Sequence, residues 1–192
     1  NVLRWTSSPN PKFGGYGPSF VNPLTGEILG ADIMLEWVFM TNRIISESVF
    51  EPNGNTLEDF DENHQFCSFG HHLHSQNAFG KAALNSKSSK ASIDGKIKIT
   101  PIVEQSLYYL ILHEMGHTFG LNHNMKASQL HSPKDLHNAA LTSRVGLMGS
   151  VMDYPAINFA PKGVKQGQYY STRPGPYDLW AFDFAYSIGL DD

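Results

Sequence analysis

The sequence is almost without cysteine, poor in charge and free of long apolar runs. A single cysteine, Cys67, in 192 residues excludes an internal disulfide. Nothing around it resembles a nucleophile motif, so it reads as a small buried or half-buried thiol. Charged residues make up only 17% of the chain, and the formal net charge is −4. There is no basic run and no nucleic-acid motif, which argues against a nucleic-acid partner. The most apolar stretch, 28–39, is broken by Asp32 and Glu36, so no membrane span is expected. No internal repeat is visible. The chain opens on Asn1 and shows no signal peptide, so the expectation is a mature or excised piece of something longer.

What is present suffices for a folded domain. Hydrophobic residues reach 41%, enough for one core with two lobes around a cleft. "NVLRW" reads as a short strand, followed by a loop rich in Pro and Gly. Thr25-Gly26 is a turn signal, and a strand is expected from Glu27 to about Leu35, although the pattern also fits the lead-in to a helix. Residues 51–62 hold five acids and no base. A solvated loop is the preferred reading, with Ca²⁺ the alternative. Residues 81–98 are rich in Ser and Lys and read as a helix end and connection.

The clearest element begins at Thr100-Pro101. Thr suits an N-cap and Pro the first helical position. Apolar residues recur at Ile102, Val103, Leu107, Leu110, Ile111 and Leu112, and the spacing predicts a helix from about Pro101 to Phe119. His113 and His117 are four residues apart and share one face of it. Two imidazoles so placed can reach one metal ion at about 2.0–2.1 Å each. Glu114 stands beside the first of them. Gly120 can adopt the left-handed conformation that ends a helix, letting the chain turn back to offer His123. Three neutral imidazoles leave one position open, the pattern of a catalytic rather than a structural Zn²⁺. A buried Glu and two His on an Ile- and Leu-lined helix would be costly without a compensating cation.

"HEMGHTFGLNH" fits HExxHxxGxxH, and "SVMDYP" begins 27 residues beyond its last His. In that order the two resemble the signature of the metzincin metalloproteases. "HEMGHTFGLNHNMKAS", "SVMDYP", "GPYDLWAFDFAYS" and, upstream, "NPLTGEILGADI" resemble the bacterial Met-zincin family most closely.

The resemblance implies an α+β, metzincin-like zincin fold. In it a small twisted sheet and an active-site helix stand above a cleft, and an irregular C-terminal lobe ends in a helix. Residues 1–192 would form one catalytic domain, with an upper lobe of about 1–122 and a lower lobe of about 123–192. His113, His117 and His123 match the zinc ligands and Glu114 the general base. Met152 matches the Met-turn methionine beneath the imidazoles. Tyr154 matches a tyrosine near the metal that stabilises the oxyanion. Asn124, after the third His, departs from the Glu, Pro or Asp of the astacins, serralysins and adamalysins. Asp178 is a plausible cap of the last helix.

The function so implied is that of a zinc-dependent endopeptidase, hydrolysing peptide bonds with a zinc-activated water and Glu114 as base. The alternatives are a non-catalytic zinc-binding module and a zinc hydrolase of a non-protein amide. The substrate would be an extended polypeptide. It could add as a strand to an exposed edge at Gly26–Leu35, including Gly30 and Ala31. The segment 156–159, with Ala156 and Ile157, would border the side chain after the cut. The implied setting is a secreted or periplasmic monomeric catalytic domain, either a compact relative or part of a larger chain. Of the other histidines, His71, His72 and His74 read as a surface or loop cluster, and His64, His131 and His137 as isolated.

Overall fold

The computed structural model describes residues 2–7, 14–37, 68–87 and 101–187. Cys67, His64, Thr100, the acidic stretch 51–62 and the Ser/Lys-rich residues from 88 onward lie outside the described residues. Four strands form one mixed sheet: β1 (Val2–Thr6), β2 (Gly15–Tyr16), β3 (Ser19–Val21) and β4 (Ile28–Glu36). β4 is the long strand expected after the turn at Thr25-Gly26. Gly26 has φ +75° there, and its N–H donates to the Asn22 carbonyl at 2.8 Å.

Strands flank β4 on both sides at Met34–Leu35, whereas over Ile28–Ala31 the described pairing is with β3 alone. β1 runs parallel to β4 from Val2↔Asp32 to Thr6↔Glu36. On its other side β3 pairs antiparallel at Ser19↔Ala31 and Phe20↔Gly30, and β2 at Gly15↔Leu35. The chain before the turn folds back on β4, because the Pro- and Gly-rich segment supplies two short strands rather than a free loop.

Among the described residues, four α-helices accompany the sheet: α1 (Phe69–Lys87), α2 (Pro101–Thr118), α3 (Ala139–Val145) and α4 (Pro176–Tyr186). None is long and apolar enough to cross a membrane. α2 matches the helix expected from its apolar spacing. It buries Ile102, Val103, Tyr109 and Leu110 together with His113 and Glu114. Leu35 of β4, Phe69 and Leu73 of α1 and Met152 join the same core. Burying each such side chain contributes roughly 1.5–3 kcal/mol.

α1 is a helix of which the sequence showed only the end. Its buried positions are Phe69, Gly70, Leu73, Asn77 and Gly80, so more than half of the stripe toward the core is polar or bare. Asn77 is accommodated there because Ser106 Oγ accepts from its Nδ2 at 3.0 Å and Tyr170 Oη donates to its Oδ1 at 2.9 Å. At the other end of the chain, Pro176 starts α4 and Asp178 caps it, accepting from the Gly175 N–H at 2.8 Å. α4 docks on the end of α2. Phe182 packs edge-on against Phe119 (ring centroids 5.0 Å apart), and Tyr186 Oη donates to the Phe119 carbonyl at 2.8 Å.

Candidate metal centre

Two turns of α2 and the motif that ends it build the site. Gly120 has φ +79°, its N–H donates to the His117 carbonyl at 2.9 Å, and the Leu121 N–H donates to the Gly116 carbonyl at 3.0 Å. This is a Schellman ending, and only a residue free to adopt positive φ closes it without strain. It turns the chain so that His123 returns toward the helix. Ligand atoms of His113, His117 and His123 all lie within 4.8 Å of one another.

Each helical imidazole is fixed from behind. His113 Nδ1 lies 2.7 Å from the Val151 carbonyl oxygen, and His117 Nδ1 lies 3.0 Å from that of Leu121. A carbonyl only accepts, so both rings carry their proton on Nδ1 and, when neutral, turn the Nε2 lone pair to the site. His117 Nε2 and His123 Nε2 stand 3.1 Å apart. Two ligands of one tetrahedral ion at 2.0–2.1 Å would be about 3.3 Å apart.

Burial keeps these rings unprotonated. It is the main cause that lowers the pKa of His113 to about 3, with the neighbouring His117 adding to it. Burial also lowers His117 and His123. A neutral imidazole is the metal-binding form. The donor set, its spacing and its protonation state fit Zn²⁺.

The walls of the site come from distant parts of the chain. Phe69 of α1 stacks on His113 with centroids 4.2 Å apart. Tyr154 lies with its ring 4.9 Å from that of His123, 5.5 Å from His113 and 5.0 Å from Phe69. Glu114 is fully buried on α2. β2 passes close above it: a Cβ on Gly15 would stand 3.0 Å from Glu114 Oε1, and one on Gly17 would strike the Glu114 backbone oxygen. Side chains at these two positions would push the strand off the helix.

Met152 is fully buried and lies against Gly116, where a Cβ would collide with the Met152 Sδ. A glycine inside a helix costs about 1 kcal/mol relative to alanine. Here it admits the methionine between the turns that carry His113 and His117. Sequence reasoning passed over Gly116, although an isolated glycine in a helical pattern is itself a sign of close packing.

The turn around Met152 is held at both ends by carboxylates. Asp178 accepts from Ser150 Oγ at 2.5 Å, from the Val151 N–H at 2.9 Å and from the Gly175 N–H at 2.8 Å. Asp153 accepts from the Ser128 and Tyr154 N–H groups, each at 2.7 Å. The Asn124 N–H donates to the Met152 carbonyl at 2.8 Å, tying the residue after the third histidine to the turn. Tyr109 Oη lies 3.2 Å from the Asp153 carbonyl oxygen; burial, then the charges of Asp153 and Asp178, hold its pKa well above the usual value. The sequence marked Asp178 only as a cap and gave no sign of Asp153 or Tyr109 in this role, because their partners are far away along the chain.

The remaining candidates separate. Gly30 and Ala31 sit within β4, already paired with Phe20 and Ser19. Ala156 is exposed just past the turn, while Ile157 points inward. A Cβ on Gly80 of α1 would stand 2.5 Å from Ile157 Cδ1, so the Ile157 side chain belongs to the core rather than to a substrate-facing wall. The surface-or-loop reading of His72 also changes. His72 is half-buried on α1, its Nε2 is 2.8 Å from the Pro155 carbonyl oxygen, and its ring is 5.7 Å from that of Tyr154. His131 Nε2 is 2.8 Å from the Gly146 carbonyl oxygen, and His137 Nδ1 accepts from the Gly167 N–H at 3.2 Å, so both serve loop structure.

Comparison with known proteins agrees with the geometry. The family model described as Met-zincin matches residues 98–191, a span that holds the three histidines, Glu114, the Met152 turn and α4. No curated protein and no solved structure matches the chain. Over residues 98–191 the chain is thus similar to the Met-zincin family, and its α+β architecture is metzincin-like.

Proposed function

We propose that this protein is a zinc-dependent endopeptidase. The observation that carries the reading is the convergence of three neutral imidazoles from His113, His117 and His123 beside Glu114, on the helix that holds two of them. Zn²⁺ bound there would supply Lewis acidity, polarising a carbonyl and lowering the pKa of a water toward about 7. The other steps belong to the chain. Glu114 accepts the proton of the attacking water and delivers it to the departing amine. Its burial keeps competing water away from that proton. Tyr154 donates a hydrogen bond to the carbonyl oxygen as that oxygen gains charge. His113 and His117 keep their orientation through the Val151 and Leu121 carbonyls.

The substrate in this reading is an extended polypeptide running past Ala156, the exposed backbone position that follows the turn. Cleavage of an unbiased peptide library by the wild type and by Glu114→Ala, with zinc content measured for both, tests it. The expected result is turnover by the wild type alone, with zinc in both. Equal turnover by the two would remove Glu114 from the mechanism. Zinc at stoichiometry without turnover in the wild type would favour a non-catalytic zinc module.

A further inference from the structure

α1 lies along the chain that leaves the Met152 turn, and it grips that chain through residues four apart. His72 Nε2 donates to the Pro155 carbonyl at 2.8 Å, since the carbonyl can only accept. One turn later, Gln76 Oε1 accepts from the Ile157 N–H at 3.1 Å. One further turn on, Gly80 leaves room for the Ile157 side chain. Residues at i, i+4 and i+8 form one ridge of a helix. In an extended segment the polar groups of alternate residues point the same way. The Pro155 C=O and Ile157 N–H therefore both face α1, and the backbone of Ala156 faces away from it. At the start of the same helix, Phe69 stacks on His113 and packs against Tyr154. One helix thus touches an imidazole of the candidate site and holds the segment that leaves the turn.

We propose that His72 and Gln76 are positioning residues that set segment 155–157 against the metal centre, and so decide which side chain is accepted after the scissile bond. The specificity half of this proposal rests on the endopeptidase reading; the positioning half does not. His72 and Gln76 touch neither substrate nor the reacting atoms. They consume the two backbone groups that would otherwise let the segment slide or turn over. Phe69 carries the link to His113, so the distance from ligand to segment is set within α1 rather than across a flexible loop.

The test uses the full chain loaded with zinc and four variants: His72→Ala, His72→Gln, Gln76→Ala and Gln76→Glu. Gln can replace the lost donor of His72, and Glu keeps an acceptor at position 76. Two quantities are read: amide hydrogen exchange at Ile157, and the ratio of kcat/KM for peptide pairs differing only in the residue after the cut. Gln76→Ala is expected to speed Ile157 exchange at least tenfold, and Gln76→Glu to restore much of the protection. Both alanine variants are expected to shift the peptide ratio at least fivefold, chiefly through KM, at unchanged zinc content, and His72→Gln to bring it back toward wild type. Unaltered Ile157 exchange in Gln76→Ala overturns the positioning, whatever the activity. Faster exchange with an unchanged peptide ratio overturns the specificity role. A wild type that cleaves no library peptide overturns the endopeptidase reading and the specificity half with it, while the exchange result still decides the positioning half.

Discussion

The backbone of Val151 joins Asp178 to His113. Its N–H donates to Asp178 Oδ2 at 2.9 Å, and its carbonyl accepts from His113 Nδ1 at 2.7 Å. A carboxylate on the last helix is therefore two hydrogen bonds away from a metal-site imidazole 65 residues earlier in the chain. Both bonds are buried, so neither is replaced by water at low cost.

Asp178→Asn is expected to weaken this link without emptying the space. The buried bonds lose their charge assistance, which is worth about 1.5–3 kcal/mol. Thermal melting should show the loss of stability. Zinc affinity, measured by competition with a chelator, should fall about 10–100-fold, as for other partners behind a metal ligand. Unchanged zinc affinity would confine Asp178 to holding the backbone.

Tyr154→Phe tests the aromatic side of the site. The ring packs 4.9 Å from His123 and 5.0 Å from Phe69, and phenylalanine preserves that packing. Removing one oxyanion donor costs about 2.7–4 kcal/mol in other enzymes, so kcat should fall about 10²–10³-fold with little change in KM. Steady-state kinetics with a peptide substrate gives the answer, and an unchanged kcat removes the tyrosine from that role.

Gly116→Ala places a methyl group on the Met152 sulfur. Overpacking of this kind costs about 1–3 kcal/mol. Met152→Ala alone opens a cavity and costs about 2–5 kcal/mol. Because the two sites touch, the double variant should lose less than the sum of the singles. Urea denaturation of all four proteins measures the coupling; strict additivity would mean that methionine and glycine do not share the space.

The buried histidines predict a direction for pH. His113 has its folded pKa lowered to about 3, below the value of about 6.5 in an unfolded chain. The unfolded chain then binds more protons, so stability rises with pH. Its contribution is fully present above about pH 6.5 and is lost as the pH falls toward 3. His117 and His123, lowered as well, act in the same sense. Metal-free protein should therefore need less urea to unfold at pH 5 than at pH 7.5. Zinc affinity should fall over the same window, because protons compete for Nε2. Stability that is flat between these pH values would contradict the burial of His113.

Parts of this arrangement were legible because they are local. The spacing of His113 and His117 on one helix face and the glycine that ends the helix each follow from residues within a turn or two. The repeat of Ile102, Val103, Leu107 and Leu110 marked α2 to within one residue of its observed end. The strand at 28–36 was marked by the turn signal before it, although its residue pattern also fitted the lead-in to a helix.

α1 was not legible, because its buried stripe carries Asn77 and Gly80 in place of apolar residues. Its polarity is satisfied by Ser106 and Tyr170, partners 29 and 93 residues away. His72 was read as a surface residue for the same reason, since its partner at Pro155 is 83 residues distant. Which stretches of β4 are flanked by other strands was not legible either, because edge or centre is a property of the sheet, fixed here when β2 and β3 fold back on that strand.

The sequence by itself determined the set of groups that could hold a metal ion, since two imidazoles one helical turn apart and a third past a glycine turn depend only on helix geometry. The tertiary structure decided which nitrogen of each helical imidazole faces inward, how close the Met152 turn lies and which helix holds the segment after it. Those depend on hydrogen bonds and packing between residues tens of positions apart, and local preferences along the chain do not encode them one by one.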